Sequence, residues 1–138
     1  MPVVSPAEIR TRRGRANHRA GLAAEDAAAA LYARRGASVL ARRLRLGGGE
    51  IDLVVLDRDV LVFVEVKRRK RLVPDSPVSE RQWSRLERAA TAYMVEHQRT
   101  TGAARRARFD VVLVDAEARP TVIENARVPS SSDEGQAG

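Results

Sequence analysis

The chain has 138 residues and no cysteine, and its 25 basic and 18 acidic side chains leave a net charge of +7. The length suits one domain, and the absence of thiols excludes a disulfide framework and a thiolate metal site. With His18 and His97 as the only histidines, any metal would be a hard cation on carboxylate oxygens.

The positive balance favours a polyanionic partner, nucleic acid above all. Arginine so dominates the basic residues that Lys67 and Lys70 are the only lysines. This bias also fits a GC-rich coding sequence, in which some arginines are background. No apolar run approaches the ~18–20 residues that span a bilayer, so a cytoplasmic protein without a membrane partner is expected.

Along the chain, residues 1–19 read as a flexible basic arm, with five arginines from Arg10 to Arg19. Ala20 to Arg35 reads as an alanine-rich helix stopped by Gly36. Val39–Arg45 fits a strand, Gly47-Gly48-Gly49 a break, and Glu50–Leu56 and Val60–Lys67 two strands joined as a hairpin at Asp57-Arg58-Asp59. Ser79-Glu80-Arg81-Gln82 matches a capping box. The helix behind it runs to about Gln98, with Trp83, Leu86, Ala90, Tyr93, Met94 and His97 on one face. Ala107–Val114 is a further strand and Thr121–Glu124 a short edge strand. Residues 129–138 read as a disordered tail, which leaves 20–128 as the folded domain. The order predicts an α/β fold, a mixed sheet flanked by helices.

The hairpin carries the chemistry. A turn centred on Arg58-Asp59 pairs residues whose numbers sum to 117. Asp52 then lies opposite Glu65, and Glu50 opposite Lys67. By alternation, Glu50, Asp52, Val54 and Leu56 share one face, as do Leu61, Phe63, Glu65 and Lys67. Like charges directly opposed on a sheet are destabilising, and a divalent cation would compensate them. Mg²⁺ is commonly held by one or two carboxylates plus substrate phosphates. The Lys67 ammonium would orient water or stabilise phosphate charge in the transition state. The same residues also fit surface salt bridges, Glu50 with Lys67 and Asp52 with nearby arginines.

Gly49-Glu50-Ile51-Asp52-Leu53, Val62-Phe63-Val64-Glu65-Val66-Lys67 and Arg108-Phe109-Asp110-Val111-Val112 together resemble the uncharacterised bacterial YraN-like family. That family is similar to the PD-(D/E)xK, restriction-endonuclease-like superfamily and to Holliday-junction resolvases. The resemblance covers about Ala20 to Ala126. It implies an αβββαβ core, metal binding by Asp52 and Glu65 with the Val66 carbonyl as an extra ligand, and Lys67 as the catalytic lysine. It also implies an assisting role for Glu25 on the first helix, in an apolar setting of Leu22, Ala28, Ala29 and Tyr32. Gln82 resembles a polar helix residue of some superfamily nucleases, although capping accounts for it more simply. Glu50 is a second auxiliary candidate. Ile51 stands where the superfamily signature has proline.

The expected activity is Mg²⁺- or Mn²⁺-dependent phosphodiester hydrolysis in DNA, at branched or damaged structures. Arg68, Arg69, Lys70, Arg71, Arg105 and Arg106, with the arm, are candidate phosphate contacts. Resolvase-like relatives act as dimers, so the resemblance also raises a homodimer. The alternatives are a nucleic-acid-binding module without turnover and a protein-binding adaptor. Asp110 reads either as support for the site or as a strand-end partner of Arg108.

Overall fold

The computed structural model describes residues 6–68 and 78–127. Helix α1 (Pro6–Arg34) precedes three strands, β1 (Ser38–Leu46), β2 (Gly49–Asp57) and β3 (Val60–Arg68). Helix α2 (Glu80–Thr101), β4 (Arg106–Val114) and β5 (Pro120–Ile123) complete the order. The five strands form one sheet in sequence order. Every pairing is antiparallel except β3 with β4, which are parallel. Parallel neighbours need a long crossover, and α2 lies within it. This is the expected α/β architecture, an αβββαβ core with one added edge strand.

Helix α1 starts at Pro6, not at Ala20, and so includes most of what reads in sequence as a loose arm. Proline suits a first helical position because its missing N–H would be unpaired there. The alanines, arginines and glutamates that follow are good helix formers. The helix ends where Gly36 takes the left-handed conformation at φ 86°. Helix α2 has its expected capping box, in which the Gln82 N–H donates to Ser79 Oγ and the Ser79 N–H to Gln82 Oε1. The residues of the tail and Arg69, Lys70 and Arg71 lie outside the described residues.

Two apolar layers cover the sheet. On the α2 side, Ile51, Val54, Leu61, Phe63, Phe109, Val111 and Leu113 pack against Trp83, Leu86, Ala89 and Ala90. On the α1 side, Leu53, Val55, Val62, Val64, Val112 and Val114 pack against Ala24, Ala28 and Tyr32. Asp110 is fully buried in the second layer. Its carboxylate accepts from the Tyr32 hydroxyl at 2.7 Å, the Arg108 guanidinium at 3.0 and 3.1 Å, and the Asn125 N–H at 3.0 Å. A buried charge is tolerable only when so partnered. Asp110 thus joins α1, β4 and the segment after β5, a structural role.

Helix α2 approaches β2 without a side chain between them. A Cβ built on Gly49 would lie 1.8 Å from the Arg85 carbonyl oxygen and 3.0 Å from the Ala89 nitrogen. Both obstacles are backbone, so neither can turn aside. Gly49→Ala is therefore expected to cost at least about 1–3 kcal/mol, the range for overpacked interiors. Urea unfolding would measure it, and wild-type stability in the variant would refute this contact.

Candidate active site

The β2–β3 register is the expected one, running from Asp57↔Val60 to Leu53↔Val64. There the pairing stops. Asp52 and Glu65 come next on the two strands, but instead of a further ladder pair the Val66 N–H donates to Asp52 Oδ2 at 2.8 Å. Beyond this point β2 continues on β1, through Leu44↔Ile51 to Leu46↔Gly49. Meanwhile β3 continues on β4 to Arg68↔Val114. The sheet forks, and Asp52 sits in the fork.

The fork coincides with a switch of faces. Ala41 and Leu44 of β1 both lie against the α2-side layer, as do Ile51 and Val54 of β2. Regular alternation would put residues three apart on opposite faces. The two interruptions face each other, since Arg42 pairs with Leu53 and Leu44 with Ile51. Between them Arg43 takes a left-handed backbone, φ 52°. This corrects the expectation that Glu50, Asp52, Val54 and Leu56 share one regular face. The expected Glu50–Lys67 pair is also absent. Glu50 pairs with Arg45 at 3.3 Å and with Arg85 of α2.

Three of the expected groups nevertheless converge. The Glu65 carboxyl lies within hydrogen-bonding reach of Asp52. Lys67 Nζ is 3.1 Å from Glu65 Oε2, with both side chains more than four-fifths buried. Glu25 is 9 % exposed, adds its negative charge to the surroundings of Asp52, and accepts from Arg43 Nε at 2.7 Å. It is a buried residue, not an ordinary helix-surface glutamate. Among the described residues, Asp52 lines three adjoining clefts. One also holds Glu25, Lys67 and Arg68, the next Glu50, Glu65, Gln82 and Arg85, and the third Glu25, Arg43, Arg45 and Glu50. Gln82 therefore borders the site while serving its cap.

Arg105 and Arg106 are not brought there. The β3–β4 register places Arg106 beside Val60, at the far end of β3, roughly 20 Å from Lys67 at ~3.3 Å per residue. Arg105 is held by Asp59 at 2.8 Å and His97 at 3.0 Å. Arg43 and Arg85, by contrast, belong to the site without having stood out in the sequence. An arginine gives no cue to a left-handed backbone, and only the helix crossing at Gly49 brings Arg85 near.

Burial, and then the Glu65 charge, push the Asp52 carboxyl up to about 7, against the opposing effect of the Val66 N–H. Two crowded carboxyls of this kind are suitable donors for one hard cation, which takes oxygen ligands and keeps several waters. Among the described residues, no three His, Cys, Asp or Glu side chains stand together as a metal-holding group. The protein could thus offer two carboxylates, from Asp52 and Glu65, and leave the remaining positions to backbone, water or substrate.

A two-helix mixed sheet with a carboxylate pair and a lysine at a fork defines an α/β domain of the αβββαβ type. The chain belongs to the uncharacterised protein family UPF0102, whose model matches residues 24–114, in line with the YraN-like resemblance. That stretch contains every site residue from Glu25 to Arg85. A UPF0102 protein of Cereibacter sphaeroides is 40% identical over 114 residues, covering 82% of this chain and 96% of the relative. One of Ruegeria pomeroyi is 41% identical over 115 residues, covering 83% and 92%. One of Acidiphilium cryptum is 50% identical over 103 residues, covering 74% and 78%. Among the described residues, no helix is long and apolar enough to cross a membrane.

The Asp52 shift has a consequence for stability. In the unfolded chain Asp52 loses its proton near its ordinary value of 3.8, whereas in the folded chain it keeps it to about pH 7. Between those values the folded state binds more protons, so stability falls as pH rises. Asp52→Asn still accepts from Val66 but carries no charge. It is expected to stabilise the protein by roughly 1–4 kcal/mol above pH 7 and to change little near pH 4. Thermal melts across this range in EDTA would test it, and an equal effect at both ends would refute the shift.

Proposed function

We propose that this protein is a divalent-cation-dependent nuclease that hydrolyses phosphodiester bonds in DNA, with branched or damaged duplexes as substrates. The carrying observation is the meeting of Asp52 and Glu65 at the fork with Lys67 Nζ 3.1 Å from Glu65. The YraN-like resemblance supports the same reading, since Asp52, Glu65 and Lys67 match the acids and lysine of the PD-(D/E)xK superfamily.

Asp52 and Glu65 would hold Mg²⁺ or Mn²⁺, which when bound would neutralise phosphate charge and acidify water. The Val66 N–H fixes the orientation of the Asp52 carboxylate. Lys67 would donate to the attacking water or to a non-bridging phosphate oxygen as negative charge builds there. Water gives up a proton to solvent as its oxygen bonds to phosphorus, the P–O bond to the leaving group breaks, and the departing alkoxide takes up a proton from a solvent water. Arg68, on the rim of the Asp52 cleft, would meet a neighbouring phosphate. The net charge of +7 supports attraction to the polyanion, which weakens steeply with salt.

A second reading is a nucleic-acid-binding module without turnover. It is favoured by the lack of a third metal-holding side chain among the described residues.

Purified protein, incubated with branched, linear and single-stranded DNA and Mg²⁺, is expected to cleave at least one substrate. Asp52→Asn and Glu65→Gln should abolish the cleavage. Lys67→Met should slow it by about 10²–10³-fold, as for loss of one preorganised transition-state donor. Cleavage that survives Asp52→Asn would eliminate the site. Binding without cleavage on every substrate would select the module.

A further inference from the structure

Arg43 combines three properties seldom found together. Its backbone is left-handed, with φ 52°, in a strand and in a residue that has no ease there. Such positions are strained and persist where the surroundings over-determine them. Its guanidinium donates to Glu25 at 2.7 Å, and Glu25 is itself buried. Arg43, Glu25 and Asp52 line one cleft of about 230 Å³.

The switch of faces at Arg43 is what aims the side chain at α1. On a regular strand its neighbours would alternate, and Ala41 and Leu44 could not both face α2. The distortion turns Arg43 as well as Arg42 toward α1, where Arg42 pairs with Asp26 and Arg43 with Glu25, and the second pair ties up the third acid of the site. Glu25 is near enough for its charge to act on Asp52, yet its carboxylate is taken by a guanidinium.

We propose that Arg43 is a positioning residue that locks Glu25 and so holds the site at two carboxylates until a substrate phosphate draws the guanidinium away. This rests on the metal-dependent reading above. A guanidinium carries five N–H donors and binds phosphate as well as carboxylate. Arg43 is 42% exposed at its side chain, so a nucleic-acid phosphate can reach it. Released, Glu25 joins Asp52 and Glu65, and the number of charged ligands sets the affinity of such sites. Cation and nucleic acid would then bind cooperatively, each favouring the state the other prefers.

The test is Mn²⁺ binding by electron paramagnetic resonance, without turnover. Asparagine tolerates the left-handed conformation and removes the charge, so Arg43→Asn should fold. It is expected to bind Mn²⁺ on the order of tenfold more tightly than wild type. Adding Glu25→Gln to that variant should abolish the gain. Glu25→Gln alone should lower the affinity less than it does in the Arg43→Asn background, because the lock already withholds that carboxylate as a ligand and leaves only its charge to act on Asp52. A short DNA oligonucleotide should narrow the gap between wild type and Arg43→Asn. An affinity insensitive to Arg43, a gain that survives Glu25→Gln, or a loss from Glu25→Gln as large in the wild type as in Arg43→Asn overturns the lock. A gap unchanged by DNA overturns its release by phosphate. Failure of every variant to bind Mn²⁺ overturns the metal reading and the lock with it.

Discussion

The organisation of the molecule turns on one hydrogen bond, from the Val66 N–H to the Asp52 carboxylate. Two antiparallel strands that continued to pair would bury that N–H in a ladder and turn the acids into an ordinary cross-strand couple. Here a side chain replaces a backbone carbonyl as the acceptor. The strands can part because the orphaned donor is satisfied, and each keeps a neighbour on its other edge, β1 for β2 and β4 for β3. The opening between them is thus a product of backbone accounting, and the acid that closes the account is also the acid at the mouth.

The surrounding structure makes that opening affordable. The valine and leucine layers on both faces are continuous below the fork. The fully partnered Asp110 ties the α1 side together where no ligand is expected. Two buried carboxylates therefore behave in opposite ways. Asp110 has donors from three segments, which satisfy its carboxylate and fix it in place. Asp52 is buried with one backbone donor and two acidic neighbours, so burial first, and then the neighbouring charge, disfavours its ionised form.

Much of this was legible in the residues. The hairpin register followed from a two-residue turn and strand periodicity, both local properties, and the capping box of α2 is equally local. The face assignment of Asp52 failed because alternation presumes ordinary strand dihedrals, and the left-handed Arg43 across from it breaks that premise. The start of α1 was missed because a run of arginines reads as an arm, although arginine is a good helix former. Arg105 and Arg106 stood as candidate phosphate contacts on charge alone, which says nothing of their distance from Lys67. They lie at the other end because a parallel crossover starts its second strand beside the beginning of the first. Glu25 was within reach of sequence only through family resemblance, since nothing local brings a helix residue to a strand end.

The bare contact at Gly49 bears on where the molecule can breathe. With no side chain to act as a cushion, β2 and α2 are seated backbone on backbone at Arg85 and Ala89. Sliding one past the other would collide rigid atoms, so this wall of the cleft moves as a single block. Any widening of the cleft must then reside in the opposite wall, where α1 meets β1 through the Arg42–Asp26 and Arg43–Glu25 pairs. Such tethers can let go and re-form without disturbing the packed interior.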